Sequence, residues 1–157
     1  MQKITPFLWF DNNAEEAVAL YTSIFPDSKV GAMSRLPEGS PSPGTVITGT
    51  ITLAGQEFMV LNGGPYFKFN EAVSFFVSCK DQEEVDYYWN KLTADGGQES
   101  QCGWLKDKFG LSWQIVPEIL GKLLSDKDGE KAGRAMQAML KMKKLDCAAL
   151  QQAFDGQ

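Results

Sequence analysis

The first chemical fact about this sequence is a residue it lacks: among 157 residues there is no histidine. Histidine is the side chain that titrates near neutrality and the commonest ligand of transition metals. Its absence excludes Ser-His-Asp and Cys-His catalysis. A metal site would have to be built from carboxylates, amides and thiolates. The three cysteines, Cys79, Cys102 and Cys147, are odd in number and show no C-x-x-C spacing, which argues against a disulfide framework or a zinc knuckle. Cys102, beside Gly103, is the cysteine placed most like a nucleophile, yet nothing in the sequence activates it. What remains is neutral polar chemistry. Gln114 is singled out because an amide both donates and accepts. Trp104 and Lys106 share one face of a strand beside it. Glu57 is a candidate general acid without a partner carboxylate.

Composition narrows the partners. With 43% hydrophobic and 22% charged residues the chain has an ordinary globular balance, enough for a real core. The net charge of −5 and the lack of a Lys/Arg cluster speak against nucleic acid. No apolar run reaches membrane-spanning length and the first residues carry no apolar leader segment, so the expected location is the cytoplasm, with no membrane partner.

These residues are positioned by a repeat. An apolar strand over Ile4 to Phe10 precedes Asn13-Ala14-Glu15-Glu16, a capping box, and the helical stripe Ala17, Leu20, Tyr21, Ile24. Val73 to Cys79 is a second such strand, followed by the box Asp81-Gln82-Glu83-Glu84 and the stripe Val85, Tyr88, Trp89, Leu92, stopped at Gly96-Gly97. Aligning the caps matches Asn13 with Asp81, Tyr21 with Trp89 and Phe7 with Phe75. Strands follow each helix: Ser28 to Leu36, Thr45 to Leu53 and Glu57 to Asn62 in the first half, Gln98 to Lys106 and Leu111 to Val116 in the second. Gly55 matches Gly110 and Phe58 matches Trp113. Agreement in order, caps and turns predicts a true structural repeat.

Alternation separates the faces. Ile47, Ile51 and Leu53 oppose Val46, Thr48, Thr50 and Thr52. Trp113 and Ile115 oppose Ser112, Gln114 and Val116. Phe75, Val77 and Cys79 oppose Ser74, Phe76 and Ser78. The apolar sets suit packing under the helices, and the mixed sets suit a concave ligand-accepting face that includes Thr48 and, by parity, Glu57. Tyr66, Phe67 and Phe69 fall in the linker between the halves.

Three stretches carry a family resemblance: Ile4-Thr5-Pro6-Phe7-Leu8-Trp9-Phe10-Asp11, Met59-Val60-Leu61-Asn62-Gly63-Gly64-Pro65, and the run from Cys102-Gly103-Trp104 to Gln114-Ile115-Val116-Pro117. They resemble the PhnB-like branch of the vicinal-oxygen-chelate superfamily, which includes glyoxalase I, bleomycin-resistance proteins and extradiol dioxygenases. Members of this branch are often labelled 3-demethylubiquinone methyltransferases. The resemblance implies an α+β fold of two tandem βαβββ modules forming a curled mixed sheet around a cleft. It also implies metal-ligand positions on the first and last strands of each module, which fall here on Pro6 (or, one residue earlier, Thr5), Met59, Ser74 and Gln114. Proline has no ligating side chain, and a thioether with neutral oxygens is a poor set for a divalent ion.

The expectation is a single domain over 1–157, with module one at 1–64, module two at 72–117 and a helical tail at 118–157. The function expected is metal-independent binding of a small molecule, with no cofactor, through Gln114, Ser74, Met59, Thr48, Glu57 and Trp104. An enzyme using the same cleft is the alternative, and an interaction module with a vestigial cleft is the third reading. The tail carries the stripes Ile119/Leu120/Leu123/Leu124 and Ala132/Met136/Met139/Leu140, then a short helix capped by Asp146. Because the modules already have their own helices, these stripes predict a homodimer.

Overall fold

The computed structural model describes residues 2–157, and the chain divides into two compact units at Lys68 and Phe69. In the first, β1 (Phe7–Phe10), α1 (Ala14–Ile24), β2 (Lys29–Arg35), β3 (Val46–Leu53) and β4 (Gln56–Asn62) follow in order. The sheet order is β1-β4-β3-β2, with β1 and β4 parallel and the other pairs antiparallel. The helix lays Ala14, Ala17, Val18, Tyr21 and Ile24 against one face of the sheet, where Leu8, Phe10, Ile51, Leu53, Phe58 and Val60 are buried. A two-residue turn joins β3 to β4, with Ala54 and Gly55 both at positive φ, the conformation that matches strand twist in tight hairpins.

Two expectations for this unit are corrected. Asn13 makes no side-chain capping bond. The orphan N–H of Ala14 donates instead to Oδ1 of Asn62 at 2.9 Å, and the other end of that amide donates to the Val46 carbonyl. Ile47 is 39% exposed while Val46 is buried, reversing the expected alternation. The register steps from Ser34–Thr48 to Arg35–Val46, so Ile47 is the extra residue of a bulge, which flips the faces beyond it.

The second unit repeats the plan with β5 (Ser74–Cys79), α2 (Gln82–Thr93), β6 (Gln98–Glu99), β7 (Trp104–Lys106) and β8 (Ser112–Pro117). The order is β5-β8-β7-β6, and β5 and β8 are parallel. Here the cap forms, with the return bond of the box reaching the residue before the N-cap. Asp81 accepts from the Glu84 N–H at 3.0 Å, and Glu84 accepts from the Lys80 N–H at 2.7 Å. Val85, Tyr88, Trp89 and Leu92 are buried. The strand expected over Gln98 to Lys106 is broken between Glu99 and Trp104, because Cys102 and Gly103 turn to positive φ. Their N–H groups donate to the carbonyls of Met142 and Lys143, each at 2.8 Å, and a Cβ on Gly103 would strike the Ile115 carbonyl at 2.9 Å.

The cap alignment and the strand alignment differ by one residue. Phe7 pairs with Met59, whereas Phe75 pairs with Trp113. Phe75 lies against Trp113 on the helix-covered side, while Phe7 is on the other side and 48% exposed. Residues 11–13 separate β1 from α1, but only residues 80–81 separate β5 from α2, so the first module carries one extra connecting residue. Thr5, not Pro6, therefore corresponds to Ser74.

Asp107 ties this unit together. It is 2% exposed, and its carboxylate accepts from the N–H groups of Phe109 (2.9 Å) and Leu111 (3.1 Å) and from the Trp113 indole (2.9 Å). The tail forms α3 (Glu118–Leu124), α4 (Gly129–Met139) and α5 (Cys147–Asp155), with Asp146 capping α5 as expected. Leu120, Leu123, Ala135, Leu145 and Leu150 bury one another, with Met139 and Phe154 packed alongside. The tail also joins the module: Gln82 bridges the Leu145 carbonyl and the Cys147 N–H, and Lys144 pairs with Asp86 at 2.8 Å. The first stripe thus finds its cover within its own unit, whereas Met136 and Leu140 of the second stay exposed.

Two outcomes follow from this packing. Asp107→Ala should destabilise the protein by at least ~2 kcal/mol in urea unfolding, since two buried donors lose their acceptor at about 1–3 kcal/mol each and a half-buried one loses it too. Burial pushes the Cys79 thiol up to about 12, so iodoacetamide at pH 8 should leave Cys79 unmodified in the native protein, as read by peptide mass mapping. Because the folded pKa lies above the ordinary 9.0, the protonated thiol's contribution to stability is complete below pH 9 and is lost as pH rises toward 12.

Candidate functional site

Each sheet is covered by its helix on one face, and the other face carries the candidate residues. In the second unit the open face is read along β8, where Ser112, Gln114 and Val116 alternate with the core residues Trp113 and Ile115. Backbone pairing sets three residues across the sheet at each level: Lys106–Ser112–Ser74, then Trp104–Gln114–Phe76. Gln114, Ser74 and Trp104 are all half-buried, and the Gln114 amide donates to Ser74 Oγ at 2.9 Å. The structure thus brings together three of the six residues expected to bind ligand.

Two features of this face were not anticipated. Ser112 is 1% exposed, and its hydroxyl has no hydrogen-bond partner among the described residues. Lys106 is held in an ion pair by Glu71, and that hydrogen bond keeps the Glu71 carboxyl below its ordinary range. Glu71, Trp104, Lys106 and Ser112, with Glu99 and Ser100, line a hollow of about 170 Å³. The signal for Ser112 was its shared parity with Gln114. Glu71 sits outside any strand, so neither alternation nor helical spacing marks it.

The other three expected residues lie on the open face of the first unit. Met59 is half-buried between Phe7 and Thr50, Thr48 pairs with Leu61, and Glu57 is exposed opposite Thr52. Trp9 is fixed on this side by its indole N–H, which donates to the Gly64 carbonyl at 3.0 Å, and by edge contact with Phe67 at 5.0 Å. Gly63 is required there, because a Cβ would collide with the Trp9 ring.

The positions that the family resemblance marks for metal ligands carry none suited to a hard divalent ion. The first unit supplies a thioether and a threonine hydroxyl. In the second, Ser74 and Gln114 are neutral and bonded to each other. Among the described residues no group of three His, Cys, Asp or Glu side chains is placed to hold a metal. No helix of the described residues is long and apolar enough to cross a membrane.

Comparison with known proteins agrees with this architecture. A family model described as 3-demethylubiquinone-9 3-methyltransferase matches residues 2–116. The PhnB protein from Bacillus cereus is 41% identical with a TM-score of 0.68, over 74% of this chain and 99% of its own. Protein PA1353 from Pseudomonas aeruginosa shares the fold at 20% identity and a TM-score of 0.64, over 75% of this chain and 98% of its own. No match is found among the curated proteins. The helical tail lies beyond the residues that the family model matches. The chain belongs to the family described as 3-demethylubiquinone-9 3-methyltransferase, in the PhnB-like branch of the vicinal-oxygen-chelate superfamily.

Proposed function

We propose that this protein binds a small organic molecule without a metal ion, in the manner of the glyoxalase and bleomycin-resistance proteins, on the open sheet face around Gln114. The observation that carries this reading is the half-buried Gln114–Ser74 pair beside a hollow with an unpartnered buried hydroxyl. Such a face is costly to maintain unless something completes its hydrogen bonds. The neutral donor set supports metal independence, because oxygen ligands without charge hold divalent ions weakly. Methyl transfer, the activity in the family's description, is not part of this reading. The connections from β1 to α1 and from β5 to α2, residues 11–13 and 80–81, contain no glycine and so lack the glycine-rich turn that seats a nucleotide cofactor. A cytoplasmic location fits the three free thiols, Cys79, Cys102 and Cys147.

A thermal-shift screen of metabolites and antibiotics tests this, since a ligand of the native state raises the melting temperature by mass action. At least one compound should give a saturable shift that persists in EDTA. Gln114→Leu should weaken that compound several-fold, the effect of one lost hydrogen bond of about 1 kcal/mol, with the unliganded melting temperature little changed. A shift abolished by EDTA, or indifferent to Gln114→Leu, would overturn the reading. Turnover of the bound compound would establish the enzyme alternative.

We also infer a homodimer, because two residues of the second stripe, Met136 on α4 and Leu140 just after it, remain 38% and 50% exposed after the tail has packed. Light scattering at micromolar concentration should give about twice 17.4 kDa, falling to the monomer mass in Met136→Asp/Leu140→Asp; a monomer mass for the unaltered protein would refute it.

A further inference from the structure

The open face of the second unit carries two hollows at opposite ends of one strand. The hollow of about 170 Å³ lies around Lys106, Ser112 and Trp104. The other, about 540 Å³, is lined mainly by apolar groups, among them Phe76, Val116, Leu120 and Leu124. Ser112, Gln114 and Val116 are alternate residues of β8 and so point to the same side. The span from Ser112 to Val116 is about 13 Å at strand rise. The Trp104–Gln114–Phe76 level lies between the two ends.

The polar end holds one unmet donor and one cation whose partner is exposed. The Ser112 hydroxyl is buried and unpaired, a desolvation cost that an incoming oxygen would relieve. Beside it Lys106 already grips a carboxylate, that of Glu71, whose side chain is 62% exposed on the segment before β5. A carboxylate is thus the group that this ammonium accommodates, and the one now present sits on an exposed side chain that a ligand can displace. Glu99 also lines the hollow, but its carboxylate is engaged by the Trp89 indole N–H at 2.8 Å; with Glu71 displaced, the ammonium and the hydroxyl suit a single negative charge. The apolar end, by contrast, presents Phe76, itself 60% exposed, and the α3 leucines.

We propose that this face binds an amphipathic monocarboxylate with an unbranched apolar chain. Its carboxylate displaces Glu71 from Lys106 and accepts from the Ser112 hydroxyl. Its chain crosses Gln114 between Trp104 and Phe76 and ends against Val116, Leu120 and Leu124. This inference rests on the small-molecule reading above and names the chemical class that the same face takes.

Octanoate, octanamide and butyrate are the probes, titrated into the full chain with backbone amide shifts as the readout. Octanoate should bind saturably and move the amides of both Ser112 and Val116. Octanamide should bind at least tenfold more weakly, and butyrate about fourfold more weakly per methylene removed. Glu71→Gln, at an exposed side chain, should tighten octanoate several-fold by freeing Lys106. Lys106→Met and Ser112→Ala should each weaken it, with the remaining amide spectrum reporting an intact fold. Equal affinity for octanoate and octanamide, no dependence on chain length, or no effect of Glu71→Gln would overturn the proposal. If octanoate fails while a compound from the thermal-shift screen moves these amides, the carboxylate class falls and the small-molecule reading stands. If nothing moves them, both fall.

Discussion

The parallel pairing of first and last strand within each module is the constraint on which the other features depend. Parallel neighbours need a crossover, and here the crossover begins with a helix. That helix covers one face of its sheet and leaves the other uncovered by its own module. Alternation then sorts every strand residue into one of two environments. Leu8, Phe58, Val60 and their counterparts Val77, Trp113 and Ile115 lie under helices, while Trp9, Met59, Ser74 and Gln114 face away. The candidate site is the geometric remainder of how the core is made.

Holding polar groups on such a face requires rigid backing, and Asp107 supplies it in the second unit. Its carboxylate closes the turn between β7 and β8 and holds the Trp113 indole from beneath. Trp113 and Phe75 meet with ring centroids 5.6 Å apart on the core side. The positions of Ser112 and Gln114, on either side of Trp113, follow from that anchor. The tail contributes from another direction, since the N–H groups of Cys102 and Gly103 donate into the loop after α4. The family match ends where the tail begins, yet the tail shapes the backbone leading into β7 and, through α3, walls the apolar hollow.

The charge arrangement on this face is economical. Lys106 is the cation of the polar hollow, and an intramolecular carboxylate neutralises it. An acidic chain of net charge −5 would repel an anion at long range, so recognition of one must come from contact, through a desolvated hydroxyl and a nearby ammonium. Glu71 and Glu99 both line the hollow, but they are engaged by Lys106 and by the Trp89 indole.

Much of this was legible in the sequence because it is local. Asp81 and Glu84 cap a helix three residues apart; Ala54-Gly55 turns a hairpin; Ser112, Gln114 and Val116 share a face because strand side chains alternate. Each statement involves a few consecutive residues and a fixed period. The tertiary structure decided what local rules do not constrain. Asn62 caps α1 from a strand 48 residues away, taking the place expected of Asn13. The bulge at Ile47 reverses parity because its partner strand is one residue out of step. One extra connecting residue separates the cap alignment from the strand alignment, so helix signals alone misplace β1 by one. Ser112 is unpaired and Lys106 is occupied only because distant segments converge on them. The sequence by itself determined which groups share a face wherever a strand runs without a bulge, through the period of the backbone. Which of them are buried, satisfied or left waiting was decided by packing, which depends on every neighbour at once.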